Sequence, residues 1–263
     1  MDKDNYTIHL QLEQLTNKYQ LLPFLRNEVK ELADNPSYSH IDKNILINAL
    51  AYMLLYKRAE PGMLLGLLYP KFRDKDKIIN ELEKMVKANL IIWNQEEDEL
   101  ITSFNLDPES QEKLDKFQYP LPFLVPPKKL EKNSDTGFYT STGSVILKNN
   151  YTNDDVNLDH INSINKIEYK INEDVLNHLQ NKWNSEPITQ SQKKNFNKYN
   201  KIQHSLCEML IKLGNKFYLT SAYDKRGRCY YRAYYVSPQG NDYSKALVEF
   251  NNGEKLWAIY LLV

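Results

Sequence analysis

Asp224-Lys225-Arg226-Gly227-Arg228, followed ten residues later by Pro238-Gln239-Gly240-Asn241-Asp242 and then by Lys245, is the stretch on which the reading of this chain turns. Gly227 lets the backbone come close to a ligand, while Arg226 and Arg228 offer planar, permanently charged forks that match phosphate oxygens. Ser237-Pro238-Gln239-Gly240 has the residue order of a type I turn, with Pro at the second position to fix φ. That turn presents Gln239, Asn241 and Lys245 from one compact loop. Neutral amides beside cations suit sugar hydroxyls and phosphates together, which is how backbone contacts position a nucleic acid without reading its sequence. On the residues alone, an ordinary surface hairpin with basic decoration stands beside this reading.

Upstream of this stretch, Gln192 to Leu213 reads as a basic amphipathic helix with Ile202, Leu206, Met209, Leu210 and Leu213 on its inward face. Between Gln192 and Lys245 eleven Lys and Arg face only Glu208, Asp224 and Asp242, although the whole chain is neutral, with 34 basic and 34 acidic residues. Zero net charge excludes a protein that coats DNA over its entire surface. One basic stripe on a polar chain fits a grip on one face only.

In family order, the chain resembles the single-subunit RNA polymerases of phages and mitochondria. Asp-x-x-Gly-Arg, an aromatic strand and Pro-Gln-Gly-Asn-Asp-x-x-Lys look like the opening of their palm. The basic helix resembles the one that leads from thumb to palm. Ile161 to Leu176 (INSINKIEYKINEDVL) is similar to their asparagine-rich helix ending in an aromatic-Lys-Ile-Asn turn, and Val125-Pro126-Pro127-Lys128 with Thr136-Gly137-Phe138-Tyr139 looks like their Pro-Pro-Lys segment and glycine-aromatic loop. Residues 1 to 85 match only loosely. Leu130 stands where the pattern has tryptophan, the spacing from Gly-Arg to Pro-Gln-Gly is one residue longer than usual, and the stretch from Pro187 to Gln192 leaves room only for a reduced thumb.

The resemblance implies an α+β, mainly helical chain: a truncated N-terminal domain over residues 1–185, a reduced thumb with the basic helix over 186–215, and the first segment of the palm over 216–263. It also implies that the family's catalytic aspartates lie beyond Val263, so that catalysis is expected from another chain. On this reading the protein looks like the small, noncatalytic subunit of the two-chain middle-transcription polymerase of lytic podoviruses that carry a virion polymerase. The implied partners are a large catalytic subunit, template DNA with the RNA–DNA hybrid, and a recruiting single-stranded-DNA-binding factor. Mg2+ would be bound by the partner chain, and the implied compartment is the cytoplasm of the infected bacterium. The nucleic-acid-binding set implied is Asp224, Arg226, Gly227, Arg228, Gln239, Gly240, Asn241 and Lys245, with Lys193, Lys194, Lys198 and Lys201 tracking phosphates and Lys170 from the aromatic-Lys-Ile-Asn turn. Asp224 is expected to orient Arg228 or a neighbouring main-chain group.

Elsewhere the chain reads as helices and one hairpin. Two helices are expected over residues 6 to 34, broken by Pro23; Asp42 caps a third, Pro61 starts a fourth and Asp74 precedes a fifth. Leu90 to Trp93 and Leu100 to Phe104 then alternate around a polar tip as a β-hairpin. Helices followed by a hairpin over 40–105 also suit a winged-helix DNA-binding or protein-docking module, the main rival, in which the chain is a transcription regulator. In the polymerase reading the hairpin, with Trp93, Asn94, Gln95 and Glu96, is either a strand wedge or a packed hairpin with a solvated tip. Its Glu96 to Glu99 run is repelled by phosphate. Tyr230, Tyr231, Tyr234 and Tyr235 suit either base stacking or a core, the core being the more usual use of strand tyrosines. His204 and Cys207, three apart, are the one candidate for a metal pair, set against a plain packed helix face. Two cysteines make no disulfide framework. The amino terminus has no basic-then-apolar leader and no apolar run reaches bilayer length, so a soluble intracellular protein without membrane contact is expected. The apolar Leu256 to Val263 is expected to be covered by the large subunit.

Overall fold

The computed structural model describes residues 3–16, 18–183 and 189–253. The chain divides into two compact units, Leu15–Gln118 and Met1–Gln14 with Tyr119–Val263. The first helix, α1 (Lys3–Thr16), runs across their boundary. The boundaries expected at 185 and 215 fall inside the second of these units, because the basic helix buries Ile202, Leu206, Cys207 and Leu210 rather than standing apart.

The unit Leu15–Gln118 is built around one helix. In chain order it holds α2 (Lys18–Glu28), α3 (Lys30–Ala33), α4 (Lys43–Tyr56), β1 (Arg58–Ala59), α5 (Pro61–Phe72), α6 (Lys75–Lys87), β2 (Ile91–Asn94), β3 (Glu99–Thr102) and α7 (Pro108–Phe117). α4 is apolar almost all round, and Ile45, Leu46, Ala49, Leu50, Met53 and Leu54 are fully enclosed, as expected of a helix with no polar face to show water. Its start is local chemistry: the Asp42 carboxylate accepts from the amides of Asn44 (3.0 Å) and Ile45 (3.2 Å). Asp74 and Asp107 cap α6 and α7 in the same way. Pro23, expected to break the first helical stretch, lies inside α2. The missing amide is outweighed there by burial of Leu21, Leu22 and Leu25 against α4. The hairpin forms as expected, with Trp93 opposite Leu100, and β1 adds a third antiparallel strand in the order β1-β3-β2.

The other unit has little regular sheet. It contains α8 (Leu158–Ile164), β4 (Tyr169–Ile171), α9 (Glu173–His178), α10 (Gln190–Lys212), β5 (Ser221–Tyr223), β6 (Cys229–Tyr231), α11 (Asp242–Leu247) and β7 (Val248–Phe250). β4 pairs antiparallel with β7 and β5 with β6. The segment expected as one helix ending in a turn is therefore a short helix followed by a strand. The strand is made by a distant partner, which periodicity does not show.

Asparagine side chains take the place of missing ladders. Asn162 donates to the Leu130 carbonyl and accepts from its amide, both at 2.9 Å; Asn165 accepts from the Ser221 amide at 2.9 Å; Asn215 bridges the amide and carbonyl of Ile171. Each satisfies buried backbone that would otherwise be unpaired. Leu130 packs in a small core with Val145, Ile146, Ile161 and Tyr223. The Pro-Pro-Lys and glycine-aromatic segments lie against one another: Lys128 N donates to Gly137 O (2.9 Å) and the Tyr139 hydroxyl to Pro126 O (2.6 Å). Gly137 is required by space, since a Cβ there would sit 2.0 Å from Thr220 Oγ1.

Candidate nucleic-acid interface

The tip between β5 and β6 is a five-residue loop closed by the Tyr223–Cys229 pair. Asp224 N donates to Arg228 O (2.8 Å) and Gly227 N to Asp224 O (3.0 Å), which requires the left-handed φ of +77° that Gly227 adopts. The Asp224 carboxylate organises the rest. One oxygen accepts from the amides of Arg226 (2.8 Å) and Arg228 (3.0 Å); the other accepts from Arg228 Nε (2.7 Å) and lies 2.6 Å from Arg228 NH2. The Arg228 amide and guanidinium hold its carboxyl below the usual aspartate range, and Asp224 in turn raises Arg228. Arg228 also lies over the Tyr230 ring at 5.6 Å, so its fork is fixed on two sides before any ligand arrives. Lys225, Arg226 and Arg228 are all exposed around this single carboxylate, leaving the tip cationic.

The Pro-Gln-Gly-Asn-Asp loop is largely committed to architecture. Gln239 accepts from Tyr231 N (2.9 Å) and donates to Cys229 O (3.0 Å), behaving as an extra strand residue along β6. Its amide is thereby engaged with the main chain that carries the Arg tip. Gly240 sits where a Cβ would meet Ser244 Cβ at 3.0 Å. Asn241 caps α11 through the Ser244 amide (3.0 Å) and donates to Asn181 (2.7 Å), which donates to Asn200 of α10 (2.9 Å). These three residues thus couple the tip, α11 and the basic helix. Lys245 remains exposed, 3.3 Å from Asp242.

α10 begins at a capping box in which the Thr189 hydroxyl and Gln192 side chain satisfy each other's amides. At 100° per residue Lys193, Lys194 and Lys201 lie on the arc opposite Leu206 and Leu210, Lys198 flanks Ile202 one turn earlier, and all four lysines are exposed. Met209 and Leu213, expected inward, are only half-buried. Lys170 pairs across the β4–β7 ladder with Glu249 at 3.2 Å. Of the tyrosines, Tyr235 is buried, Tyr230 and Tyr231 are half-buried, and Tyr234 is half-exposed with its ring stacked on Tyr119 at 4.1 Å. His204 is exposed and pairs with Glu208, whereas Cys207 is enclosed and burial pushes its thiol up to about 12. They do not form a ligand pair.

In the unit Leu15–Gln118, the hairpin tip is acidic and exposed. Trp93 is half-exposed, Gln95 and Glu96 face solvent, and Asn94 accepts from the Glu96 amide (3.2 Å). Arg58 on β1 partly offsets the charge through Glu97 (3.5 Å) and Glu99 (3.2 Å).

Two carboxylates invisible in the motif reading hold the Tyr119–Val263 unit together. Glu13 of α1 accepts from the Tyr139 and Thr140 amides, the Thr140 hydroxyl and His9, so that despite burial its carboxyl stays below the usual range. Glu168 accepts from Lys216 (2.7 Å) and Tyr218 (2.7 Å), which hold it at about 2. The only local signal for either was the i,i+4 spacing of His9 and Glu13. Asp224 is neutralised by Arg228, Asp242 lies beside Lys245 and Glu249 is shared by Lys170 and Asn172, while Asp154 and Asp155 beside the tip belong to no group of three or more metal-binding side chains among the described residues. Glu254 and the apolar Leu256 to Val263 lie outside the described residues.

A probable DNA-directed RNA polymerase of Gelasinospora sp. (strain G114) is 35% identical over 96 residues, which cover 36% of this chain and 11% of the relative. One from Agaricus bitorquis is 27% identical over 54% of this chain and 17% of its own length. The chain is a distant relative of proteins named as DNA-directed RNA polymerases. It spans less than a fifth of their length in these matches. No family model matches it.

Proposed function

We propose that this chain is a noncatalytic small subunit of a DNA-directed RNA polymerase of the single-subunit type, gripping template DNA and the RNA–DNA hybrid. The observation that carries the reading is the Asp224 carboxylate fixing the Arg228 fork and two main-chain amides at a cationic tip, in a chain distantly related to named polymerases. Phosphates docked there would meet a preset guanidinium, so little side-chain freedom is lost on binding. Arg226 and Lys225 add charge, Lys245 extends the surface, and Lys193, Lys194, Lys198 and Lys201 supply a backbone track along α10. Gln239, Gly240 and Asn241 serve this face by holding it in shape. None of these groups reads a base edge, as suits an enzyme that transcribes any sequence.

Nucleotidyl transfer needs metal-held carboxylates that stabilise both the attacking and the leaving oxygen. Asp224, Asp242 and Glu249 are already paired with cations and no group of three metal-binding side chains stands among the described residues, so the reading assigns Mg2+ and catalysis to a large partner subunit, in the cytoplasm of a phage-infected bacterium, with recruitment by a single-stranded-DNA-binding factor. Primer extension on an RNA–DNA scaffold, with this chain, the candidate large subunit and both together, tests it. Activity in the mixture alone supports the reading. Full activity of the large subunit by itself, unchanged by this chain, overturns it.

A second reading has its own observation. The order α4, β1, α5, α6, β2, β3 with the sheet order β1-β3-β2 supports the winged-helix reading, which suits a regulator. On that reading, duplex binding by the full chain is lost on reversing exposed charges of α6 and indifferent to Arg228→Gln. The acidic wing tip weighs against it.

A further inference from the structure

A cleft of about 600 Å3 opens beside the Asp224 tip, between it and residues 150–157. Its far wall is irregular in backbone but tied down. Asn133 donates to the carbonyls of Thr152 (2.9 Å) and Asp154 (2.8 Å), and the Tyr223 hydroxyl donates to Asn157 O (3.1 Å). Ile146 and Tyr223 are buried beneath it and Val156 is half-buried, giving an apolar floor. The rim is polar: Asp155 is exposed, the Tyr151 ring is 64% exposed, and Lys225 stands at the tip side. The rest of the lining is polar, with Asn150, Thr152, Asp154 and Asn157 beside Asp155, and a small apolar floor under a polar wall in a volume of several hundred Å3 suits a flat ligand with a hydrogen-bonding edge.

Charge decides which part of a strand enters. Asp154 and Asp155 repel phosphate, whereas Lys225, Arg226 and Arg228 at the neighbouring tip attract it. A strand held by its phosphates at the tip therefore turns a base, not its backbone, toward the cleft. A carboxylate accepts from an exocyclic amino group and is repelled by a carbonyl edge. An exposed tyrosine offers a stacking face to any base. We propose that this cleft receives one unpaired nucleobase of the strand whose phosphates the Asp224–Arg228 tip holds, favouring an amino-bearing base, with Tyr151 as the stacking wall and Asp155 as the acceptor. The proposal rests on the nucleic-acid reading of the tip and deepens it.

The test is fluorescence anisotropy of the full chain with labelled twelve-nucleotide oligo-dT, carrying a single dC or a single abasic residue walked through every position. One position is expected at which dC binds about tenfold tighter than dT, and at which the abasic site weakens binding by a similar factor. Tyr151→Ala should erase the abasic effect and Asp155→Asn the dC preference; both residues are exposed, so the variants keep the fold. Arg228→Gln should weaken all oligonucleotides alike. Equal affinity for dT, dC and abasic strands at every position, with Arg228→Gln still weakening them, overturns the cleft and leaves the tip reading standing. Binding indifferent to Arg228→Gln removes both.

Discussion

Replacing Gly137 by alanine tests the link between a motif glycine and the binding tip. The added methyl would lie 2.0 Å from Thr220 Oγ1, 2.9 Å from Thr220 Cβ and 3.1 Å from Pro127 Cβ. Rotating the Thr220 hydroxyl away removes the first clash at a cost of about 1 kcal/mol if the new χ is imperfect. It leaves the second, because Cβ does not move with χ1. The main chain at residue 220 must then shift by several tenths of an ångström in a buried setting, at roughly 1–3 kcal/mol. The sum is about 3 kcal/mol, a large share of ordinary domain stability. Thr220 immediately precedes β5, so the same shift reaches the Asp224 tip. The expected result in urea is a midpoint lowered by ~1 M, read by peptide-resolved hydrogen exchange over residues 119–253, with residues 18–118 as the internal control. Adding Thr220→Gly, which removes both contacting atoms, should recover part of the loss. An unchanged midpoint for Gly137→Ala would refute the close approach and with it the steric account of the glycine-aromatic loop.

Other outcomes follow from the same geometry. Arg228→Gln should reduce the slope of log affinity against log salt by about 0.7 for a single strand, the contribution of one phosphate contact; an unchanged slope removes Arg228 from the interface. Asp224→Asn adds one unit of net positive charge yet should weaken strand binding, because Arg228 loses its ion pair; tighter binding would show that charge, not orientation, governs the tip. Asn162→Ala leaves the Leu130 amide and carbonyl unpaired and should cost roughly 2–4 kcal/mol, measured by chemical denaturation. For Glu168, the folded carboxyl lies at about 2 against an ordinary 4.5, so its contribution is present above pH 4.5 and disappears as pH falls through about 2. After solvent screening this amounts to about 1 kcal/mol. Acid titration should show the wild type losing its advantage over Glu168→Gln in that window, and a constant difference down to pH 2 would argue against the Lys216 pairing.

The helices of this protein were legible because their determinants are neighbours in sequence. Asp42, Asp74 and Asp107 each cap amides two or three residues away, and Thr189 with Gln192 closes a box within one turn. The β2–β3 hairpin was equally local. The Asp224 tip was too, since its carboxylate bonds groups two and four residues on. What sequence alone did not reveal is where long-range partners are found. Gln239 is spent on β6, Asn162 pairs with Leu130 across 32 positions, and Glu13 meets Thr140 across 127. β4 is a strand only because β7 lies beside it. A side chain that bonds within one turn has its partner delivered by the backbone. One that bonds across the fold has a partner chosen by packing, and a polar residue reads the same in sequence whether it will face a ligand or close a buried gap.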